Sequence, residues 1–472
     1  MNEAASTANP LSAIERLRYW WQRLATAVLP GVGEIIADRK TSRLVTQLKP
    51  LLDESRTQRG GEASVRDRAE RIAAIYRNAE IAQRAAILNL ITREFAPDRE
   101  TLESAILAMQ AAANDIELSR AEARLRIALD APRARFFTQF NLLPDGVKFL
   151  VDLRADLLAL LPREPALEVL KVELDGLLES WFDPGFLELS RISWNSPALV
   201  LEKLIDYEAV HPIESWKDLR NRLDTDRRCY AFFHPRLPNE PLIFVEIALA
   251  KGLPGSVQVL LDQGAPLQDP HTADTAVFYS ISNTQAGLRG ISFGNLLLKR
   301  VIEDLRRDLP RLQVYATLSP LPGFRKWLDR EMAAGRELLP DKETAKLASA
   351  LGHAQPQPGT ALAAALARPG WSAEAGLANA LSEPMAKLCA RYLLREKSGT
   401  HLLDPVAQFH LNNGARINRI YWLADTSTHG MEQSYGMMVS YRYELSEVEE
   451  NHERFRHDGH IAAARRVVRL LD

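Results

Sequence analysis

Cysteine is scarce. Only Cys229 and Cys389 occur, far apart and in no metal-ligand spacing, which leaves a disulfide framework unsupported and a reducing, cytoplasmic compartment as the expectation. An excess of one charge is lacking as well. The 59 basic and 61 acidic residues give a formal net charge of -2, so global charge points to no nucleic-acid or membrane partner. The basic run "RDRAERIAAIYR" is interleaved with acids at helical spacing and reads as a solvated face. No stretch is apolar for the length of a membrane span. The start, "MNEAASTANPLSAIERLRYWW", lacks the basic and apolar regions of a secretory signal, and the closing "VVRLLD" carries no targeting tripeptide. No HxH, HExxH or carboxylate pattern suggests a metal site, and no GxSxG elbow supports an esterase.

What is present is ample apolar material, 46% of 472 residues, enough for two domains. The first part is helical in pattern. "SAIERLRYWWQRLATAVL", "SVRDRAERIAAIYRNA", "EIAQRAAILNLITREF", "TLESAILAMQAAANDIELSRAEARLRIAL" and "PALEVLKVELDGLLESWF" repeat apolar residues every three and four positions. Several begin after Ser, Asp or Pro, as helix starts do. This predicts an all-helical domain over about 1–178, with no cluster of catalytic residue types.

Beyond it the texture changes. "RCYAFFH" and "PLIFVEIALA", split by the turn-like "PRLPNE", read as a hairpin. "TAVFYSIS" and "QVYATLS" are strands, each followed by a helical segment, "GISFGNLLLKRVIEDLRRDL" and "GFRKWLDREMAAG". Alternation of this kind predicts a mixed α/β domain over about 179–472. Residues 335–400, rich in Ala, Pro and Gly, read as a helical insertion with a flexible part between 352 and 372. Strand texture returns at "VAQFHL", "RINRIYWLAD" and "YGMMVSYRYEL".

Three segments carry candidate chemistry. In "YSISNTQAGLRGISFGNLLLKRVIEDL" a strand ends near Ser282, and Gln285, Gly287, Gly290 and Gly294 precede a long helix. Such a turn exposes backbone N–H groups that suit a phosphate, though the order matches neither a P-loop nor a dinucleotide fingerprint. Adenine-bearing cofactors are all compatible with it, and so is an ordinary glycine-rich turn. In "ATLSPLPGFRKWL", Ser319 follows a strand and precedes a rigid loop, which suits helix capping or turn chemistry. In "VAQFHLNNG", strand alternation puts His410 on the face opposite Phe409 and Leu411, where it is free to act as acid or base near neutral pH.

Taken together, "FYSISNTQAGLRGISFGNLLLKRVIEDL", "ATLSPLPGFRKWL", "VAQFHLNNGARINRIYWLAD" and "GMMVSYRYEL" resemble the malonyl-CoA decarboxylases in order and spacing, across about 180 to 443. The resemblance implies an α+β two-domain protein: a helical N-terminal domain, then a catalytic domain like the GCN5-related N-acetyltransferase fold, carrying the helical insertion. It implies that the CoA loop runs over Gln285, Ala286, Gly287, Leu288, Arg289 and Gly290 to Gly294. It implies catalytic roles for Ser319, His410 and Tyr443, and a site serine at Ser280. Where some members carry a glutamate, this chain has Ser292. The implied substrate is malonyl-CoA and the product acetyl-CoA, with no metal or organic cofactor, and the implied assembly is a homo-oligomer, a tetramer of paired dimers. Two other readings suit the same features: an acyl-CoA N-acyltransferase and a non-enzymatic acyl-CoA-binding protein.

Overall fold

Helix starts in the first part of the chain are written locally. Asp98 accepts the N–H of Thr101 at 2.9 Å, and Glu80 and Gln83 close a capping box, with the Glu80 N–H donating to Gln83 Oε1 at 2.9 Å. A computed structural model describes residues 39–57, 60–129, 132–291, 296–352 and 361–472. The segment "SAIERLRYWWQRLATAVL", expected to be helical, lies outside the described residues. The chain divides into two compact units.

The first unit contains the helices Arg39–Arg56, Glu62–Arg77, Ile81–Glu94, Arg99–Gln110, Asp115–Leu129, Pro132–Thr138, Gly146–Leu160 and Glu168–Trp181. Their apolar stripes meet in one core that includes Leu52, Ile72, Leu88, Leu150, Leu157 and Leu174. Phe95, Phe136, Phe140 and Phe149 stack through it, with ring centroids 4.4 to 5.4 Å apart. Two short later segments, residues 233–242 and 283–293, belong to this unit. Arg236 Nη2 donates to Asn141 Oδ1 at 2.7 Å, His234 Nε2 lies 3.0 Å from the Trp181 carbonyl, and Thr284 N–H donates to the Leu242 carbonyl at 3.1 Å.

The second unit holds the strands, apart from the terminal residues Glu188, Phe233 and Asn283. In chain order they are β1 (Glu188–Ile192), β2 (Arg227–Phe233), β3 (Ile243–Ala250), β4 (Thr275–Asn283), β5 (Val314–Thr317), β6 (Ser319–Pro320), β7 (Lys397–Ser398), β8 (His401–Leu402), β9 (Arg416–Tyr421) and β10 (Met438–Arg442). Among the described residues one eight-stranded sheet runs β1-β2-β3-β4-β5-β10-β6, with β9 also on β10. The expected hairpin of β2 and β3 is antiparallel, from Arg227 opposite Ala248 to Phe232 opposite Ile243. β4 and β5 are parallel, joined through the helix Leu296–Asp308. Nearly every residue of β2, β3 and β4 is buried, which explains their predominantly apolar sequence.

The insertion is helical: Asp341–Ala350, Ala361–Ala367 and Ala375–Arg395. Of its expected flexible part, residues 353–360 lie outside the described residues. Ala361–Ala367 is a helix instead, its Ala361, Leu362, Ala365 and Leu366 buried, because alanine and leucine favour a helix as soon as one face can be covered.

"VAQFHL" is a second correction. It is not a strand but the helix Pro405–Asn412. Asp404 accepts the Ala407 N–H at 2.8 Å and Pro405 occupies the first turn, so the start signal is in the sequence, one residue before the alternation begins. Gly414, at φ +75°, ends the helix where a Cβ would meet the Val448 carbonyl oxygen at 2.0 Å.

Candidate active site

Three elements of the second unit bring His410, Ser319 and Tyr443 together. Ser319 opens β6 opposite Val439 of β10, just after Leu318, whose N–H donates to the Phe278 carbonyl at 2.9 Å. Tyr443 follows β10, and its N–H donates to the Tyr315 carbonyl at 2.9 Å. His410 stands in the last turn of Pro405–Asn412 and is 2% exposed. It is therefore a buried histidine, not one on the open face of a strand, and it is partnered on both nitrogens. Nε2 lies 3.3 Å from Ser319 Oγ and Nδ1 lies 2.7 Å from the Tyr443 hydroxyl. The ring stacks on Tyr441, centroids 4.5 Å apart and planes 24° from parallel.

The hydroxyl network fixes which nitrogen holds the proton. Ser319 Oγ donates to Thr317 Oγ1 at 2.8 Å, and that oxygen also accepts the Tyr441 N–H at 3.0 Å. Ser319 Oγ is then an acceptor toward the ring, so Nε2 carries the hydrogen and Nδ1 accepts from Tyr443. Burial pushes the His410 pKa down to about 3, so the ring is neutral at physiological pH. Burial also raises the Tyr443 phenol well above its ordinary value, so it keeps its proton. Ser319 caps no helix: Phe324–Ala333 begins after Gly323 without a side-chain cap.

Thr317 was not singled out in the sequence, although it lies two residues before Ser319 on the same strand. Glu208 was missed as well. It is buried, and it is what Ser280 contacts: Ser280 Oγ lies 2.8 and 2.7 Å from its two oxygens, and Ser282 Oγ lies 3.2 Å from Oε2. The N–H groups of Val210 and His211 complete its shell at 2.8 Å each. Burial raises the Glu208 pKa and lowers that of His211 to about 4. Among the described residues no hydrogen bond joins Ser280 to His410, Ser319 or Tyr443.

The described part of the glycine turn, residues 285–291, belongs to the first unit. Ala286–Leu288 forms a single 3₁₀ turn. Gln285 Nε2 donates to Glu240 Oε1 at 2.8 Å. Gly287 lies flat on the helix Gly146–Leu160, where a Cβ would sit 1.7 Å from the Val151 carbonyl oxygen. Arg154 of that helix donates from Nη1 to the carbonyls of Gly287 at 2.6 Å and Arg289 at 3.0 Å. Gly290 adopts φ +87°. Ser292 and Gly294 lie outside the described residues. Among the described residues no group of three or more His, Cys, Asp or Glu side chains is placed to hold a metal ion, and no helix is long and apolar enough to cross a membrane.

A neutral imidazole that donates through one nitrogen and accepts through the other, screened from water on a mixed sheet, is the equipment of a proton-transfer enzyme. Comparison with known proteins gives the particular kind. Residues 95–182 match the model of the malonyl-CoA decarboxylase N-terminal domain, and residues 185–472 that of the malonyl-CoA decarboxylase C-terminal domain. The goose mitochondrial malonyl-CoA decarboxylase is 36% identical over 95% of this chain and 94% of its own. The crystal structure of malonyl-CoA decarboxylase from Rhodopseudomonas palustris superposes with a TM-score of 0.80 at 42% identity, covering 91% of this chain and 99% of that one. That from Agrobacterium vitis gives 0.80 at 38% identity, covering 91% and 100%. The chain belongs to the malonyl-CoA decarboxylase family. The relatives from goose, rat and mouse are named as mitochondrial proteins, and this overturns the cytoplasmic expectation drawn from cysteine usage.

Proposed function

We infer that the protein converts malonyl-CoA to acetyl-CoA and CO2 and that His410 delivers the proton the product requires. Decarboxylation breaks the bond between the malonyl methylene and its carboxylate. The electron pair passes into the thioester carbonyl, giving an enolate, and CO2 leaves. The thioester is its own electron sink, so the protein's tasks are to orient the carboxylate, to stabilise the enolate oxygen and to protonate the carbon. The enolate carbon takes the proton on His410 Nε2, directly or with the Ser319 hydroxyl as relay, while Nδ1 draws on the Tyr443 hydroxyl. Solvent restores the one proton consumed in each turnover. A neutral ring suffices here, because a thioester enolate is a far stronger base than the carboxylates and amines that call for an imidazolium. The observation that carries this reading is the two-sided hold on His410, by Ser319 at 3.3 Å and Tyr443 at 2.7 Å.

The turn from Gln285 to Gly294 takes the phosphates of the CoA moiety in this reading. Binding far from the reacting carbon then contributes to orientation at it. Ser280, held by Glu208, is a site serine on the resemblance alone. The helical domain, about 1–178, serves assembly, and 179–472 serves catalysis. Exposed apolar side chains on the outer helices, Leu107, Ile116, Ile127 and Val172, support a homo-oligomer, with a tetramer as the expected state.

Incubation of the purified protein with malonyl-CoA alone, in D2O, tests the function. Acetyl-CoA carrying one deuterium on its methyl group is expected, with an equal amount of CO2. Product that forms only when an amine acceptor is added would replace this reading with acyl transfer.

A further inference from the structure

We propose that Arg154 is a positioning residue for the acyl-CoA turn: by holding the carbonyls of Gly287 and Arg289, it turns the Gly290 N–H outward to meet a substrate phosphate. This rests on the reading that the turn binds the phosphates of malonyl-CoA.

Arg154 is 1% exposed, so it does not reach a ligand itself. Its charge is matched by Asp175, which receives Nε at 2.7 Å and lies 2.7 Å from Nη2. Lys171 holds the other oxygen of Asp175 at 2.9 Å. That leaves Nη1 for the turn, and it meets two carbonyls, Gly287 at 2.6 Å and Arg289 at 3.0 Å. In a trans peptide the C=O and the next N–H point in opposite directions, and the described chain contains no cis bond. With the Arg289 carbonyl drawn to Arg154, the Gly290 N–H must face away from the helix. The neighbouring N–H groups are occupied within the turn: Leu288 donates to the Gln285 carbonyl, Arg289 to that of Ala286 and Ile291 to that of Leu288, all at 3.0 to 3.2 Å. Among the described residues the Gly290 N–H makes no such bond. Gly290 sits at φ +87°, where an L side chain is strained, and among the described residues beyond its chain neighbours no atom lies within 4 Å of where a Cβ would stand. An outward N–H beside a missing side chain is the geometry that lets a phosphate oxygen approach the backbone.

The helix Gly146–Leu160 thus sets the geometry of the turn packed on it. A planar guanidinium can hold Asp175 along one edge and two carbonyls at another nitrogen, whereas an ammonium cannot keep both sets in place. Asp175 and Gly287 fix the two sides of the arrangement, and Arg154 joins them.

The test compares malonyl-CoA with malonyl-pantetheine, which lacks the phosphates, in Arg154→Lys. Expected is a rise in KM for malonyl-CoA of about tenfold with kcat within about twofold, and no change in kcat/KM for malonyl-pantetheine. A melting curve checks that the variant is folded. Asp175→Asn, which leaves the guanidinium but weakens its anchor, serves as the second variant and is expected to show the same split to a smaller degree. An unchanged KM for malonyl-CoA in a folded variant, or an equal loss on both substrates, would overturn the proposal. Wild-type protein that used both substrates with the same kcat/KM would remove the phosphate reading of the turn itself, and the role of Arg154 with it.

Discussion

The Tyr443 hydroxyl stands 2.7 Å from Nδ1 of His410, on the side of the ring opposite Ser319. The phenol has no other hydrogen-bond partner among the described residues, so its hydrogen is free to go to Nδ1 in the tautomer that Ser319 and Thr317 set. Tyr443→Phe keeps the packing and removes this donor. A buried ring nitrogen without a partner costs about 1–3 kcal/mol and frees the ring to exchange tautomers. We expect kcat to fall by at least about tenfold with KM for malonyl-CoA nearly unchanged. Steady-state CO2 release measures both, and a matched fall in kcat and rise in KM would instead mark Tyr443 as a binding group.

His410→Gln removes the proton donor itself. General acid catalysis by a positioned side chain contributes about 10²–10⁴-fold, and a loss of that size in kcat is expected while KM moves by no more than a few-fold. Near-native turnover in a folded variant would take His410 out of the mechanism.

Much of this was legible in the residues. The helical stripes, the β2–β3 hairpin and the β4–helix–β5 unit follow from periodicity and turn chemistry, and the structure contains them. His410 and Ser319 stood out as chemical types, and resemblance added Tyr443. What the residues concealed is how His410 is held. Alternation over six residues suggested a strand, but "DP" at 404–405 starts a helix, and a helix brings the ring into the interior between two hydroxyls. Thr317 and Glu208 gave no local signal, because each matters only through a partner brought close by the sheet. Arg154 was one more cation in an amphipathic helix until the glycine turn, more than a hundred residues later, came to lie on it.

Thr317→Val tests the direction of the hydroxyl chain. The swap is nearly isosteric, but it deprives the Ser319 O–H and the Tyr441 N–H of their acceptor. Ser319 then has Nε2 of His410 as its nearest acceptor, which moves the ring proton to Nδ1 and away from the site of use. A fall in kcat of about tenfold is expected with little effect on KM, and Thr317→Ser should restore most of it. Ring nitrogen chemical shifts of His410 should report the change of tautomer, and an unaltered pattern would show that Thr317 does not set it.

The pH dependence separates a neutral acid from a charged one. Burial holds His410 at about 3 and His211 at about 4, both below the ordinary value near 6.5. Between those limits the unfolded chain binds more protons than the folded one, so stability rises with pH. The contribution is complete above about 6.5 and is lost as pH falls toward 4 and then 3. Urea midpoints measured from pH 7.5 down to 4.5 should decline, and His211→Gln should flatten the curve. Turnover should show no step near pH 6.5. A kcat that dropped as pH rose through that value would mean that an imidazolium donates the proton.

Gly287 and Gly290, the glycines of the turn among the described residues, should respond in opposite ways to one methyl group. At Gly287 a Cβ would lie 1.7 Å from the Val151 carbonyl oxygen and 2.6 Å from its carbon, both backbone atoms of a helix that cannot step aside. Gly287→Ala therefore has to lift the turn off the helix, and Arg154 loses both carbonyls with it. At Gly290 nothing lies within 4 Å of the added carbon, and the cost is the strain of φ +87° alone, about 1–2 kcal/mol. Gly287→Ala should thus raise KM for malonyl-CoA by more than about tenfold and lower the melting temperature. Gly290→Ala should leave the melting temperature within a few degrees of wild type and raise KM only as far as the methyl group hinders a phosphate. If the two variants were equally impaired in both measures, close packing of the turn on the helix would not be what sets its geometry, because only Gly287 makes that contact.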